Sequence, residues 1–317
     1  MIPFSERAIN IDAGFRCTLE CPGCARTKFT RKGKKIPGKD LTIDQFDKLT
    51  DYFKRVSFCG TWSDPIFNKN LIEFLKICKE KNISTEISNA ASHKPVKWYE
   101  EAFKANKDVW WHFGIDGLPE ESHKHRKNQD GVKLFDMMLT AKYLGLNVIW
   151  QYIVFDYNED HIEEAIKIAK MHKLKINLIE STRDFIPDSG IEPVELDYED
   201  KTGQIGWKKM SDEPRPKSGF TPKCIMSDRD VSFSSTGHIT PCCWTNISYE
   251  EKHLEKLFSE KLHINNNNSV QEILDSKEWK DFFNKLRNDS IDTLPETCVE
   301  YCNHGLNHNK ESKRISL

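Results

Sequence analysis

Between Ala8 and Glu180 short apolar runs alternate with segments whose apolar residues recur every three or four positions. The runs at 8–13, 56–60, 84–88, 109–115, 147–155 and 175–180 have the length of strands. The first intervening segment opens on a capping box, Thr42 with Gln45, and lines up Ile43, Phe46, Leu49 and Phe53 on one face. The second starts near Asn70 and aligns Leu71, Ile72, Leu75 and Cys78; the fifth follows Asn158 as its cap, with Ile162, Ala165, Ile166 and Ala169. Strand and helix repeated in this order predict βαβ units and a parallel sheet. Six units suit an α/β fold built as an open, partial (β/α)6 TIM-like barrel. In such barrels reactive groups gather at the C-terminal ends of the strands.

Beyond Glu180 the pattern changes. Residues 185–222 mix prolines and glycines with no period and read as a bridge between a domain at 1–184 and a smaller one at 223–317. In the smaller one, Val231 to Cys242 reads as a strand–turn–strand hairpin. Val270 to Arg287 reads as one helix whose stripe (Ile273, Leu274, Trp279, Phe282, Phe283, Leu286) is a packing surface. The tail from Asn307 to Leu317 reads as frayed.

Composition narrows the function classes. A net charge of −2 over 317 residues gives no general attraction to nucleic acid or anionic membrane. No run approaches the ~20 apolar residues of a spanning helix. The start, MIPFSERAIN, lacks a signal-peptide core, so the ten cysteines point to a reducing compartment, the cytoplasm, where thiols serve metals rather than disulfides. Lys28 to Lys35 (KFTRKGKK) holds five basic residues and no acid; it reads first as a solvated loop, with nucleic-acid contact as the minor alternative.

Seven of the ten cysteines are candidate ligands in two groups, and the first group follows the first strand directly: Cys17-x-x-x-Cys21-x-x-Cys24. Three thiolates on one tight loop can hold three irons of a [4Fe–4S] cube and leave the fourth open, whereas electron-relay clusters take four cysteines. A zinc knot is the rival, but it wants a fourth Cys or His, and the first histidine in the chain is His93. This spacing, with its Cys-Pro-x-Cys ending, resembles the signature of the radical S-adenosylmethionine enzymes. The resemblance implies that the open iron chelates S-adenosylmethionine, whose reductive cleavage gives a 5′-deoxyadenosyl radical that takes a hydrogen atom from substrate. It also implies a flavodoxin- or ferredoxin-like electron donor.

The second group is Cys224, then Gly237-x4-Cys242 beside Cys243, then Cys298-x-x-x-Cys302. It resembles the SPASM auxiliary-cluster domain, and better its shortened Twitch form, because five cysteines are too few for two fully thiolate-held clusters. That implies a second [4Fe–4S] cluster on Cys224, Cys242, Cys298 and Cys302, with Cys243 a buried thiol. The last pair departs from the closer Twitch spacing. A four-cysteine zinc site is the alternative from the residues themselves.

Polar residues at strand ends are the candidates for holding the cofactor. Gly60, Thr61, Ser63 and Asp64 follow strand two, where the family has a Gly-Gly-Glu-like turn that receives the methionine amino group. Ser88 and Asn89 end strand three, Asp116 follows strand four, Gln151 interrupts strand five, and Arg183 lies just past strand six. Each needs a partner if it faces the barrel lumen, and neighbouring backbone would serve as well as a ligand. His112 and Glu180 are the candidate bases. Similarity to an aminocyclitol-oxidising member implies oxidation of an alcohol on a small, sugar-like molecule; peptide modification and epimerisation are alternatives. A zinc-bearing, nucleic-acid-binding module is the reading from another class.

Overall fold

A computed structural model describes residues 3–181, 189–194, 196, 222–226, 231–288, 290–302 and 314–317. Six parallel strands run β1 (Ala8–Ile11), β2 (Arg55–Phe58), β3 (Ser84–Asn89), β4 (Trp110–Gly114), β5 (Asn147–Val154) and β6 (Lys175–Glu180). They pair in chain order, as expected for a barrel of βαβ units left open. Helices α1 (Ala25–Arg31), α2 (Ile43–Tyr52), α3 (Leu71–Glu80), α4 (Val96–Ala105), α5 (Gly131–Tyr143) and α6 (Ile162–Met171) lie along this part of the chain. The capping box of α2 forms as read, Thr42 Oγ1 accepting from Gln45 N–H and Gln45 Oε1 from Thr42 N–H.

Alternation along the strands separates two faces. Ile9, Ile11, Val56, Phe58, Ile87, Trp111, Phe113, Trp150 and Tyr152 are buried and pack toward the helices. The ring of Phe46 on α2 lies 4.5 Å from that of Phe74 on α3, and Phe103 on α4 meets Trp111 edge-on at 5.0 Å. The other face, toward the lumen, carries half-buried polar residues: Asn10, Ser57, Glu86, Ser88, His112 and Gln151. An apolar outer face and a polar inner one make a scaffold around a polar interior.

The structure departs from the sequence reading in five places, four of them in the C-terminal part. The hairpin forms, as β7 (Val231–Phe233) and β8 (Ile239–Thr240), with Gly237 at φ +84° in its turn. However, β7 pairs in parallel with β1, so the hairpin extends the barrel sheet rather than standing apart from it. The single helix expected over Val270–Arg287 is two, α8 (Val270–Leu274) and α9 (Lys277–Asn288), after α7 (Lys223–Met226). The break has a local cause: Ser276 Oγ accepts from Trp279 N–H and caps α9 afresh. The expected stripe is buried, with Trp279 and Phe283 against Phe4. An unexpected α10 (Glu296–Cys302) follows, and Arg314–Ser316 of the tail forms β9, antiparallel to β6. Finally, Asn158 caps a short turn ahead of α6, its side chain spent on Phe155 N–H and the Ile153 carbonyl.

Candidate functional site

The first cysteine loop sits at the C-terminal end of β1. Cys24 is the N-cap of α1 and its N–H donates to the Cys21 carbonyl at 3.0 Å. Cys17 Sγ accepts the Leu19 N–H at 3.4 Å. Cys21 is buried, while Cys17 and Cys24 are partly exposed. Burial pushes the Cys21 thiol up to about 11, against the opposing pull of the Arg126 guanidinium beside it. Burial also raises Cys17, helped by the Asp64 carboxylate and the two neighbouring sulfurs. The donor set is all sulfur, and neighbouring sulfurs disfavour the ionisation of Cys17 and Cys21 until a cation offsets their charge.

The turn after β2 is held from below by a residue that the sequence reading did not single out. Asp12, fully buried at the end of β1, accepts the N–H groups of Thr61 (3.1 Å) and Trp62 (2.9 Å) and the Ser63 hydroxyl (2.7 Å). Gly60 is required there: a Cβ would come within 2.2 Å of the Ser63 carbonyl oxygen and 2.7 Å of Asp12 Oδ1. Desolvation lifts Asp12 to about 7 despite those donors. Asp64 N–H donates to the Arg16 carbonyl at 3.1 Å, tying the turn to the cysteine loop. Two further candidates in the turn have structural partners. Ser63 is engaged by Asp12, and Asp64 is buried with its carboxylate accepting from Ile66, Ala90 and Ala91 N–H and from the Asn89 amide.

Asp116 corrects the expectation of an open acceptor. It has no exposed surface, and it pairs with His125 Nδ1 and Arg126 Nε, each at 2.7 Å, while Ile153 N–H donates to its Oδ1 at 2.9 Å. These cations and donors hold its carboxyl below the usual range against the cost of burial. It is the keystone of the loop after β4, and through Arg126 it reaches Cys21. Gln129 closes the same region, donating to the Ala90 and Gly114 carbonyls at 2.5 and 2.8 Å. Arg126, His125 and Gln129 lie in a loop without periodicity, so only the third dimension reveals them; Asp12 carried a signal, an acid ending an apolar strand.

Ser88, His112 and Gln151 do come together. Ser88 and His112 are register partners on β3 and β4, and the Gln151 amide donates to His112 Nδ1 at 3.4 Å. Together they make a polar stripe across the lumen. Asn89 points the other way, toward Asp64 and the Ala91 carbonyl. Glu180 is also separated from His112. It shares a register position with Val154, on the helix-covered face, and lies five residues above the level of Ile149, the partner of His112, or about 16 Å along the strand. Its carboxylate accepts the Leu196 N–H at 3.1 Å. Arg183 lies outside the described residues.

The second cysteine group gathers around one small cavity. Cys224, Cys242, Cys298 and Cys302 line it with Pro222, Pro241, Thr297, Trp244 and Tyr301. Helix α10 sets Cys298 and Cys302 four residues apart, on one face. Trp244 and Tyr301 stack at 4.1 Å and 9° as one wall. Burial raises the Cys298 thiol, then the Cys302 sulfur and Glu251 add to it. Cys243 is absent from the lining; it is half-buried, and its carbonyl accepts the Thr61 hydroxyl at 3.4 Å, which links this group to the turn after β2. Among the described residues no three His, Cys, Asp or Glu side chains are gathered closely enough to hold one metal ion, so the cysteines line a space without forming a preassembled shell. No described helix is long and apolar enough to cross a membrane.

Comparison with known proteins agrees with this architecture. Native anSMEcpe with bound AdoMet aligns with a TM-score of 0.55 at 12% identity, covering 86% of this chain and 82% of that one. Streptococcus suis SuiB aligns at 0.52 and 11% identity over 81% of this chain, which spans 66% of the SuiB chain. SuiB bound to precursor peptide SuiA aligns at 0.52 and 12%, covering 92% of this chain and 75% of that chain. No curated protein sequence matches. The model of the Radical SAM superfamily matches residues 12–169, from Asp12 through the cysteine loop to α6, and the chain belongs to that superfamily.

Proposed function

We propose that Cys17, Cys21 and Cys24 hold a [4Fe–4S] cluster with one open iron for S-adenosylmethionine, and that Cys224, Cys242, Cys298 and Cys302 hold a second. The donor sets fit: each is sulfur alone, three thiols at the first site and four around the second cavity. When bound, these groups supply one-electron chemistry, hydrogen-atom abstraction at the first site and an electron acceptor at the second. On this reading 1–184 is the catalytic barrel and 223–317 the Twitch-like unit; most of 185–222, expected as a bridge, lies outside the described residues.

The chain's own residues then have assignable tasks. The Gly60–Ser63 turn, with its N–H groups committed to Asp12, offers main-chain carbonyls to the methionine ammonium. Arg126 orients the cysteine loop by bridging Asp116 and Cys21. Ser88, His112 and Gln151 line the lumen where a polar substrate would lie. The Gln151 amide lies 3.4 Å from His112 Nδ1 and holds the ring within this stripe. The favoured reaction is oxidation of a substrate alcohol, with His112 handling the hydroxyl proton. A peptide substrate is the second reading, favoured by the likeness to SuiB in its complex with precursor peptide SuiA.

The observation that carries this proposal is the three-cysteine loop at the C-terminal end of β1, inside the matched superfamily region. Anaerobic incubation of the reconstituted chain with S-adenosylmethionine and reductant should release 5′-deoxyadenosine, and Cys21→Ala should abolish it. Undiminished release from Cys21→Ala would refute the assignment. A product two hydrogens lighter identifies oxidation, whereas solvent deuterium at carbon identifies epimerisation.

A further inference from the structure

We infer that the exposed basic face formed by α1 and the loop after it docks an acidic one-electron carrier protein; this rests on the cluster assignment of Cys17, Cys21 and Cys24. Residues 26–39 contain seven basic side chains and no acidic one, in a chain of net charge −2. The excess is therefore local. Arg31, Lys32, Lys34 and Lys35 are all exposed. Lys34 is paired with Glu250 at 3.0 Å.

The position of this charge distinguishes it from an ordinary solvated run. Cys24 is the N-cap of α1, so the helix begins at the third thiol and Arg31 stands about 10 Å away along its axis. The face is also fixed in place. Phe29 of α1 packs on the fully buried Trp62 at 5.1 Å, and Arg26 Nη1 donates to the Phe15 carbonyl at 3.0 Å. A carrier seated there comes within one short helix of a proposed cluster ligand, and electron tunnelling falls steeply with distance. Complementary charge raises the encounter rate and selects the partner. Nucleic acid would answer to the same charge, but gives no reason for the patch to start at a ligand cysteine. In each encounter one electron leaves the carrier, which is oxidised by one. It enters the iron–sulfur centre, which is reduced by one, and no bond or proton is exchanged.

The test uses the full chain, purified anaerobically, with a fluorescently labelled flavodoxin as the probe. Affinity should weaken as NaCl rises from about 50 to about 300 mM. The triple variant Arg31→Glu/Lys32→Glu/Lys35→Glu should weaken it about tenfold or more. Lys32→Gln/Lys35→Gln, which spares α1 itself, should show a smaller loss in the same direction. Flavodoxin-driven cleavage of S-adenosylmethionine should fall in parallel while dithionite-driven cleavage is unchanged. Unaltered flavodoxin affinity in both variants overturns the inference, as does patch-dependent binding of a DNA duplex in place of flavodoxin. Absence of dithionite-driven cleavage in the unmodified chain would instead count against the cluster assignment, and binding alone would then decide the surface.

Discussion

Ser63 donates its hydroxyl to Asp12 across the tops of β2 and β1 at 2.7 Å. That bond, with the two backbone N–H groups on the same carboxylate, fixes the turn after β2 relative to the strand that leads into the cysteine loop. The arrangement has a pH signature. Burial raises Asp12 in the folded chain to about 7 from an ordinary value near 3.8, so the folded state holds a proton that the unfolded state has lost between those limits. Its contribution to stability is complete below about pH 4, is lost as pH rises through about 7, and is constant above. The slope is about 1.4 kcal/mol per pH unit within the window.

Asp12→Asn should remove that slope. Asparagine keeps the shape but presents an amide donor where three donors already converge, so affinity for S-adenosylmethionine should drop about tenfold or more through a disordered turn. Urea unfolding between pH 4.5 and 8, together with equilibrium binding of S-adenosylmethionine, measures both effects. An unchanged pH slope would remove Asp12 as its source.

The six barrel strands were legible because each pairs an apolar helix-facing row with a polar lumen row, and because the α2 capping box is a local signal that tertiary contacts do not override. The first cysteine loop was legible for the same reason, since its spacing is short-range. The keystone was not. Asp116 reads as a lumen acid in one dimension, and only the return of His125 and Arg126 from the next loop, nine and ten residues on, shows that its oxygens are taken. Glu180 follows the register of Val154, and one residue of alternation is enough to turn a side chain to the other face of a sheet. Helix α10 carries the Cys298-x-x-x-Cys302 pair, whose spacing departs from the closer Twitch one; on a helix it is one turn.

Asp116→Asn should be strongly destabilising. It leaves Arg126 largely buried without its anion, which costs about 3–5 kcal/mol when one partner of a buried pair is removed. In the unmodified chain the depressed Asp116 carboxyl contributes stability that is present above its ordinary value and lost as pH falls below about 4. Denaturant titration of both forms at pH 7 and pH 3.5 should show a large gap at the former and a smaller one at the latter.

Serine at any one of Cys224, Cys242, Cys298 or Cys302 should reduce bound iron from about eight to about four per chain while leaving the first cluster in place. Cys243→Ser should keep the full complement, because Cys243 does not line the cavity. Iron and sulfide analysis of anaerobically reconstituted protein separates the two outcomes. Stoichiometric zinc with no sulfide would instead establish the mononuclear alternative for this cavity.

On the proposed function His112 acts on substrate rather than on the cofactor. It lies on β4 within the polar lumen stripe, with its Nδ1 receiving the Gln151 amide, while the turn after β2 and the cysteine loop are built from other residues. His112→Ala should therefore leave 5′-deoxyadenosine formation within about threefold of normal and lower product formation about a hundredfold, as loss of a positioned acid–base group does. Gln151→Glu should shift the pH profile of product formation toward higher pH, because a carboxylate in place of the amide favours the doubly protonated ring. Equal loss of 5′-deoxyadenosine and product in His112→Ala would mean that the histidine supports the cofactor instead, and the uncoupling ratio of the two measured yields decides between those roles.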